Sequence, residues 1–530
     1  MNNEKENPLK NIQKQLGILF FSLLMVSPCC ASAKSTTATS SKHLYVSMMG
    51  SNSNPGTREK PFSTLQHAAD VAKPGDTVEV RGGTYCQRLA VTSSGSAAAG
   101  SITFRSAPGE TAILDGGCLF LENGPSAMIS LHNASYITIQ GFVVSNYKTN
   151  NPKSVPFGIR IDGHGSHIRI LDNDVHSIQQ LYQGLNKIGS GANGFGIAVY
   201  GTDARAPISD LTIAGNQVHG LHTGSSESLV LNGNVTHFRV ARNKVYENNN
   251  IGIDIIGYEP TVHDPKVDRA RDGVVEENLV YDISSQANPA YGLSPSTPGN
   301  ASSDGIYVDG GTRVVIQRNI IHNVDFGIEM ASEHSGRNTS YIIARNNLIY
   351  FCHNAGISIG GYDKLRGGSN HVTIVNNTLY MDNAWRVGTG EFFMQMHMRD
   401  NIFENNIVYI GTPARATHSR SGPVNPGTPT VTMDHNLFYY QGGPDAVKWS
   451  YNDKAYSSFT AFVKATGGGH QLFADPQFVD VYKEDFHLGS SSPAVGRGAN
   501  LGEAVMGAKD LDGRPRTKDG KVDMGCYQDH

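Results

Sequence analysis

Two acidic residues, Asp309 and Glu329, stand in similar sequence contexts and could form a catalytic pair. Asp309 closes a segment that begins Asp304-Gly305, and Glu329 lies two residues after Gly327. Hydrolysis of a glycosidic bond uses one carboxyl group as acid and a second as nucleophile or base. Neighbouring carboxyl groups raise one another's pKa, so that one stays protonated while its partner is ionised. We therefore expect Asp309 and Glu329 to be catalytic, provided that the fold brings them together.

Other polar residues occur at related positions of the same pattern, and we expect them to bind substrate or tune the pair. They are Asp254, Asp304, Tyr307, Glu333, His334 and Glu391. A second interpretation of the acidic residues is a calcium site, because hard cations take several carboxylate oxygens. The candidate calcium ligands are Asp254, Asp304, Asp309 and Glu329. Hydrolysis by the Asp309 and Glu329 pair requires no cofactor.

A short repeat, Gly-Ile-x-aliphatic, must position these residues. Its copies begin at Gly158, Gly196, Gly252, Gly305, Gly327 and Gly356. Strand alternation directs the Ile and the last residue inward and the middle residue outward. Stacked copies predict one outward column of Arg160, Ala198, Asp254, Tyr307, Glu329 and Ser358. In that register Asp309 and Glu329 lie on consecutive coils, with Cα atoms about 8 Å apart.

A second repeat supports stacked coils. An Asn followed two residues later by an apolar residue recurs at positions 173, 216, 243, 278, 319, 347, 377, 406 and 436. The spacing fits coils of roughly twenty-odd residues with insertions of variable length. Stacked Asn amides at a turn can hydrogen-bond to their neighbours along the axis. We therefore predict an all-β chain, a single-stranded parallel β-helix.

The ends of the repeat have the features of caps. Residues 44–85 predict a strand, a capping helix that covers the open end of the solenoid, and the first coil. Residues 440–530 are expected to form the C-terminal coils and cap. Leu44-Tyr-Val-Ser47 and Asp510-Leu-Asp-Gly-Arg514 resemble the ends of secreted bacterial right-handed parallel β-helix proteins of the pectate-lyase-like superfamily. The resemblance implies a single pectate-lyase-like domain over residues 44–530 that acts on a polysaccharide or oligosaccharide.

The catalytic candidates carry a second, local resemblance. Asp304–Gly310, Asp325–Met330 and Glu333-His334 look like the catalytic rungs of β-helical glycosidases, the β-xylosidases of glycoside hydrolase family 120. This resemblance implies that Asp309 is the nucleophile and Glu329 the general acid/base. It is confined to residues 304–334, so the sugar does not carry over.

Two other functions stay open. A calcium-assisted polysaccharide lyase needs a basic residue, which a lateral loop carrying Lys266, Lys364 or Arg366 could bring over the groove. A non-catalytic glycan-binding or surface β-helix would need neither. The formal net charge of −4 and pI of about 6.6 lack the basic bias of a nucleic-acid binder, so no nucleic-acid partner is expected.

The first 33 residues have the features of a signal peptide. Lys5, Lys10 and Lys14 precede the apolar run 16–26, and Ala31-Ser-Ala33 offers a cleavage site. We expect a secreted or periplasmic protein, cleaved near Ala33, with a flexible linker at 34–43 and no later membrane span. The mature chain keeps Cys86, Cys118, Cys352 and Cys526, for which a Cys86–Cys118 disulfide or buried free thiols are both open.

Overall fold

The computed structural model describes residues 41–182, 192–288, 290, 301–385, 388–411, 417–419 and 431–529. Within these ranges the chain winds into coils whose strands stack in parallel as three long sheets, so the predicted all-β parallel β-helix is confirmed. The predicted signal peptide, residues 1–33, and most of the linker at 34–43 lie outside the described residues. None of the described helices has the length and hydrophobicity required to cross a membrane.

Sheet 1 carries the catalytic candidates. It contains 11 described strands that pair in parallel with their neighbours on adjacent coils. These strands are Leu89–Val91, Gly124–His132, Ser154–Gly163, Phe195–Gly201, Leu229–Gly233, Ile253–Ile256, Asp304–Asp309, Phe326–Ala331, Ala355–Ile359, Phe392–Met394 and Thr417–Ser419.

Sheets 2 and 3 complete each coil. Sheet 2 has 15 described strands: His43–Val46, Thr77–Val80, Ile102–Ser106, Ile137–Gln140, Gly165–Leu171, Ile208–Ala214, Val235–Ala241, Arg271–Glu276, Thr312–Gln317, Asn338–Arg345, Gly368–Asn370, Thr373–Val375, Met398–Arg399, Asn401–Glu404 and Val431–Asp434. Sheet 3 has 13: Gly83–Tyr85, Ala112–Asp115, Val143–Ser145, Asp174–His176, Gln217–His219, Lys244–Asn248, Leu279–Ile283, Ile320–Val324, Leu348–Tyr350, Thr378–Tyr380, Ile407–Tyr409, Leu437–Tyr439 and Leu472–Phe473.

The interior of the solenoid is built from the inward residues of the Gly-Ile-x-aliphatic repeat. Ile253, Ile306, Ile328 and Ile357 pair in sequence along sheet 1 and are fully buried. Full burial of such a side chain contributes about 1.5–3 kcal/mol. The repeat begins with glycine because neighbouring coils approach closely there: a Cβ on Gly327 would lie 2.4 Å from the carbonyl oxygen of Gly356.

The Asn repeat forms a continuous ladder, as predicted. At each step both the backbone N–H and the side-chain amide of one Asn donate to Oδ1 of the next, as Asn278 does to Asn319 at 3.0 Å. The ladder runs from Asn173 to Asn436. Gln471, which the repeat did not identify, accepts the backbone N–H of Asn436 and extends the ladder by one coil.

Caps close the two ends of the described solenoid. Helix α1 (Leu65–Val71) follows the N-cap residue Thr64 and covers the first coil, as the sequence predicts. Helix α2 (Phe459–Thr466) packs Phe462 against Phe438 and Trp449 at the other end, and α3 (Glu503–Met506) follows it.

The remaining elements are short. Strands Lys148–Thr149 and Gln179–Gln180 pair in parallel, and two hairpins join Trp449–Tyr451 to Lys454–Tyr456 and Phe478–Asp480 to Asp485–Leu488. Short 3-10 helices span Gly116–Cys118, Ser285–Ala287, Pro444–Ala446 and Val481–Lys483. Of the two possibilities left open for the cysteines, Cys86 and Cys118 form a disulfide, whereas Cys352 and Cys526 are buried free thiols.

Candidate active site

The outward columns of sheet 1 bring the predicted pair together. Asp254, Tyr307 and Glu329 are in-register neighbours on three successive coils. Asp309 pairs with Ala331, and Ala331 lies two residues after Glu329 on the strand Phe326–Ala331. The predicted relation of Asp309 and Glu329, one coil apart and one column across, is therefore confirmed.

The predicted column omits one coil. Strand Leu229–Gly233 lies between the strands that contain Ala198 and Asp254, and Val230 pairs with both residues. Its sequence, Leu-Val-Leu-Asn-Gly, lacks the initial Gly-Ile, which is why the repeat did not reveal it. The order of the other residues in the column is as predicted.

The candidate residues point away from the solenoid interior but are not on an open surface. Exposed fractions are 2% for Asp254, 2% for Asp304 and 5% for Asp309, and Tyr307 is also buried. An outward direction on the strand therefore does not mean exposure to solvent at these positions. These residues form a covered acidic site, here called the cleft, in which desolvation disfavours the charged form of each carboxyl group.

Glu329 is the most constrained carboxyl group of the cleft. Its Oε1 accepts a hydrogen bond from Oγ of Ser358 at 2.9 Å and another from Nε2 of Gln395. Burial raises the pKa of Glu329 to about 7, although hydrogen bonds from Ser358 and Asp304 act in the opposite direction. A carboxyl group with that pKa is partly protonated at neutral pH and can act as a general acid.

Asp304 lies beside Glu329. Its strand lies on the preceding coil, and the two carboxyl groups are within hydrogen-bonding reach of each other. Burial, followed by the charge of Glu329, raises the pKa of Asp304 well above its ordinary value. In the described part of the chain, Oδ1 of Asp304 is buried and has no hydrogen-bond partner. Asp304 is therefore placed to share a proton with Glu329.

Asp309 is held by the segment that follows the Glu329 strand. Its Oδ1 accepts the backbone N–H of Glu333 at 2.8 Å, and its Oδ2 lies 3.7 Å from Nε2 of His334. Burial and the nearby charge of Glu333 raise the pKa of Asp309 well above its ordinary value. Burial lowers the pKa of His334, so its imidazole is neutral beside Asp309 at neutral pH. Glu333 and His334 thus lie at the site, as predicted.

Two further acidic residues belong to the cleft and were missed. Glu227 precedes the unrecognised strand Leu229–Gly233, and Glu259 lies in the insertion after Ile256. Nδ2 of Asn232 donates to Oε2 of Glu259 at 2.7 Å. Burial and then the charge of Glu227 raise the pKa of Asp254 well above its ordinary value. The acidic cluster therefore contains seven residues: Glu227, Asp254, Glu259, Asp304, Asp309, Glu329 and Glu333.

Basic side chains occur at the edge of the cluster. Nη1 of Arg366 lies 3.4 Å from Oε2 of Glu333, and its guanidinium stacks on the ring of Tyr362. Arg269 and Arg337 both stack on Tyr258 in the insertion beside Glu259. Three residues are candidates for the base of a lyase: Lys266, Lys364 and Arg366. Within the described residues, Arg366 is the one that forms an ion pair with the acidic cluster.

Glu391 does not line the cleft, contrary to the prediction. Its side chain is 1% exposed, and its two carboxylate oxygens accept the backbone N–H groups of Asp382 and Gly411. Both carboxylate oxygens of Glu391 therefore accept hydrogen bonds from the protein backbone. Gln395, directly after the strand Phe392–Met394, is the residue of this coil that donates a hydrogen bond to Glu329.

The four predicted calcium ligands do not converge on one point in the described residues. Three ligand atoms of His, Cys, Asp or Glu side chains come within 4.8 Å of one another at Asp434, His435 and His470, far along the chain from the cleft. Calcium at the acidic cluster stays a prediction of the lyase interpretation.

Comparison with known proteins assigns the family. Residues 44–256 match the family described as "Pel9A-like, right handed beta helix region", and residues 195–452 match "Right handed beta helix region". The uncharacterized protein YwoF of Bacillus subtilis is 38% identical over 456 residues, which cover 86% of this chain and 92% of YwoF. The chain belongs to the right-handed β-helix proteins of the pectate-lyase-like superfamily.

Other members of this superfamily are more distant. Pectate lyase PEL9 of Emericella nidulans is 34% identical over 104 residues, which cover 18% of this chain and 25% of PEL9. The crystal structure of pectate lyase Pel9A covers 93% of this chain and 98% of its own, with a TM-score of 0.46 and 13% identity.

Proposed function

We propose that this chain is a carbohydrate-active enzyme that hydrolyses glycosidic bonds of a polysaccharide or oligosaccharide. Glu329 acts as the general acid, and Asp309 acts as the nucleophile or base on the neighbouring coil. The observation that carries the proposal is the pair of carboxyl groups one coil apart, of which Asp309 is buried and Glu329 partly buried, with the pKa of Glu329 at about 7. Glycoside hydrolysis requires such a pair.

The surrounding residues suit these roles. Ser358 and Gln395 donate to one oxygen of Glu329, which orients the carboxyl group and leaves its other oxygen to carry the proton that is passed to the leaving oxygen. The backbone N–H of Glu333 fixes Oδ1 of Asp309. The transition state has oxocarbenium character, so the proposed reaction requires Asp309 to be ionised, and its negative charge then stabilises the positive charge that develops on the sugar.

The charge of the cleft favours a neutral sugar. Seven acidic side chains surround the site, and Arg366 is paired with one of them, Glu333. A uronate carboxylate placed among these groups would repel each one that is ionised, and in a low-dielectric site that repulsion is costly. The Cys86–Cys118 disulfide fits an oxidising compartment, in agreement with the secreted or periplasmic location that we propose.

A polysaccharide lyase is the second candidate. The similarity to pectate lyase PEL9 favours it, although that similarity covers 18% of this chain. Arg366 would then be the base, because it is the cation beside Glu333 at the edge of the cleft. In that reaction calcium would neutralise the uronate carboxylate.

Product analysis tests the proposal. Purified protein without its signal peptide is incubated with neutral and acidic polysaccharides, and reducing ends are measured together with near-ultraviolet absorbance of unsaturated sugars. Glu329→Gln protein that is purified by the same procedure controls for contaminating activity. Reducing ends without absorbance support hydrolysis, whereas both signals together establish a lyase. Binding with neither signal would mean a non-catalytic glycan-binding protein.

A further inference from the structure

A second group of ionisable side chains lies near the C-terminal end of the solenoid, on sheet 2 and away from the cleft. Glu404 and Asp434 are in-register partners on adjacent coils. His435 follows Asp434 directly, and His470 occupies the equivalent position on the next coil, since each precedes a residue of the amide ladder, Asn436 or Gln471. Two carboxylates and two imidazoles therefore meet at one turn.

The local chain geometry directs these groups toward one another. Oδ1 of Asp434 accepts the backbone N–H groups of both His435 and His470, at 2.9 and 2.8 Å. This leaves Oδ2 facing the two imidazoles, 2.9 Å from Nδ1 of His470 and 3.3 Å from Nδ1 of His435. Oε1 of Glu404 lies 3.4 Å from the same atom of His435.

Nδ1 of His435 is buried at the centre of this group and makes no hydrogen bond within the part of the chain that the structure describes. Oxygens of Glu404 and Asp434 flank it, but at geometries that leave the ring nitrogen unsatisfied. A buried polar atom without a partner costs about 1–3 kcal/mol unless something binds it. A metal ion is such a partner, because neutral imidazole binds divalent metals through a ring nitrogen.

The glycines before His470 allow the loop after α2 to lie close to the strand that contains Asp434. Gly467 ends α2 with a positive φ of 76°, and a Cβ on Gly468 would lie 2.1 Å from the carbonyl oxygen of Met433 and 3.1 Å from Oδ1 of Asp434. Only glycine allows the loop to lie that close to the Asp434 strand.

We propose that Glu404, Asp434, His435 and His470 form a binding site for a borderline divalent transition metal, of which Zn²⁺ is the reference. Imidazole and carboxylate ligands in a set of four suit tetrahedral Zn²⁺, whereas Ca²⁺ and Mg²⁺ require more oxygen ligands. The ion links two strands of sheet 2 to the loop after α2. It therefore cross-links these segments and stabilises the end of the solenoid, independently of the function proposed for the cleft.

Binding requires one side chain to move. The rings of His435 and His470 are stacked, with centroids 4.3 Å apart and an interplanar angle of 18°. A metal lies near the plane of each imidazole that binds it, so the stack has to open. The side chain of His470 is 66% exposed, so it has room to turn when it gives up its hydrogen bond to Oδ2 of Asp434, whereas His435 is 21% exposed.

The test is a titration of tag-free, chelator-treated full-length mature protein with ZnCl₂ by calorimetry, together with the melting temperature. We expect one equivalent of Zn²⁺ to bind and to raise the melting temperature, and CaCl₂ or MgCl₂ to do neither. His470→Ala should weaken binding at least about 10-fold, as expected when a group that builds a metal site is lost. Because His470 is exposed, this variant is expected to fold.

His219→Ala is the matched control. His219 also stacks on a histidine, His176, and contacts a carboxylate, Asp174 at 3.0 Å, but among the described residues no second carboxylate forms an ion pair with it. We expect this variant to bind Zn²⁺ as the parent does. Equal affinity in His470→Ala and the parent protein, or equal loss in His219→Ala, would overturn the proposed site. A Glu404→Gln variant that binds more weakly than the parent would support it independently of either histidine.

Discussion

Asp304 begins the strand that Asp309 ends, and its carboxyl group is within hydrogen-bonding reach of that of Glu329 on the next coil. Two ionised carboxylates have no proton to share, so the contact requires that one of them is protonated. Asp304 and Glu329 therefore hold a proton between them, at the position where the proposed hydrolysis needs an acid. Stacking of two coils is sufficient to create this arrangement.

Activity should fall as the pH rises above neutral. Burial raises the pKa of Glu329 to about 7, and the general acid is lost when this group ionises. The alkaline limb of the kcat/KM profile should therefore lie near pH 7. A profile that stays flat well above that pH would assign the acid to another group.

Removal of Asp304 should move the alkaline limb to higher pH. The hydrogen bond from Asp304 lowers the pKa of Glu329, so Asp304→Ala should raise that pKa. Asp304→Asn keeps a donor at the same place and should shift the limb less. The pH profiles of the two variants and the parent measure the difference. A shift of equal size in both variants would contradict a hydrogen-bonding role.

Glu329→Gln should stabilise the folded protein at alkaline pH. The folded chain keeps a proton on Glu329 between its ordinary pKa of 4.5 and about 7, so stability is lost as the pH rises through that window. The full loss above pH 7 is about 3 kcal/mol for this shift. Urea unfolding should show that the variant gains stability at about pH 8 and little at about pH 5.

Glu247→Gln is the control for that experiment. Glu247 is exposed on sheet 3, so the substitution should change stability little at either pH. If Glu329→Gln and Glu247→Gln behave alike, Glu329 is not the desolvated acid that the structure indicates.

Interruption of the amide ladder should destabilise the solenoid. Asn319→Ala leaves the backbone N–H and the side-chain amide of Asn278 without their shared acceptor, at a cost of about 4 kcal/mol for two buried donors. Gln471→Ala, at the end of the ladder, removes the acceptor of one backbone N–H and should cost about half as much. Urea midpoints compare the two variants, and equal losses would show that the ladder does not stabilise as described.

The sequence predicted the architecture well because its two repeats are local signals. A glycine that permits close approach of coils and an Asn that hydrogen-bonds to the next coil both report stacking directly. The same register correctly placed Asp309 one coil from Glu329. Strand alternation is independent of what lies above the sheet, so this relation needed no knowledge of the loops.

The environment of the site was harder to predict, because it depends on segments without a repeat. Glu227 belongs to a coil that lacks the Gly-Ile signal, and Glu259 belongs to an insertion. Strand parity also suggested that Glu391 faces the cleft, but it precedes its strand and accepts backbone N–H groups instead. Burial of Asp309 comes from covering segments, which alternation along a strand does not report.

The most direct test compares three variants on a polysaccharide that the parent protein cleaves: Asp309→Asn, Glu329→Gln and Arg366→Met. Loss of either carboxyl group should reduce kcat at least about 100-fold, as expected for a catalytic acid or base, while Arg366→Met should keep most of the activity. Circular dichroism and the melting temperature establish that each variant is folded. Loss of activity in Arg366→Met, with turnover retained in Asp309→Asn and Glu329→Gln, would contradict hydrolysis by the two carboxyl groups.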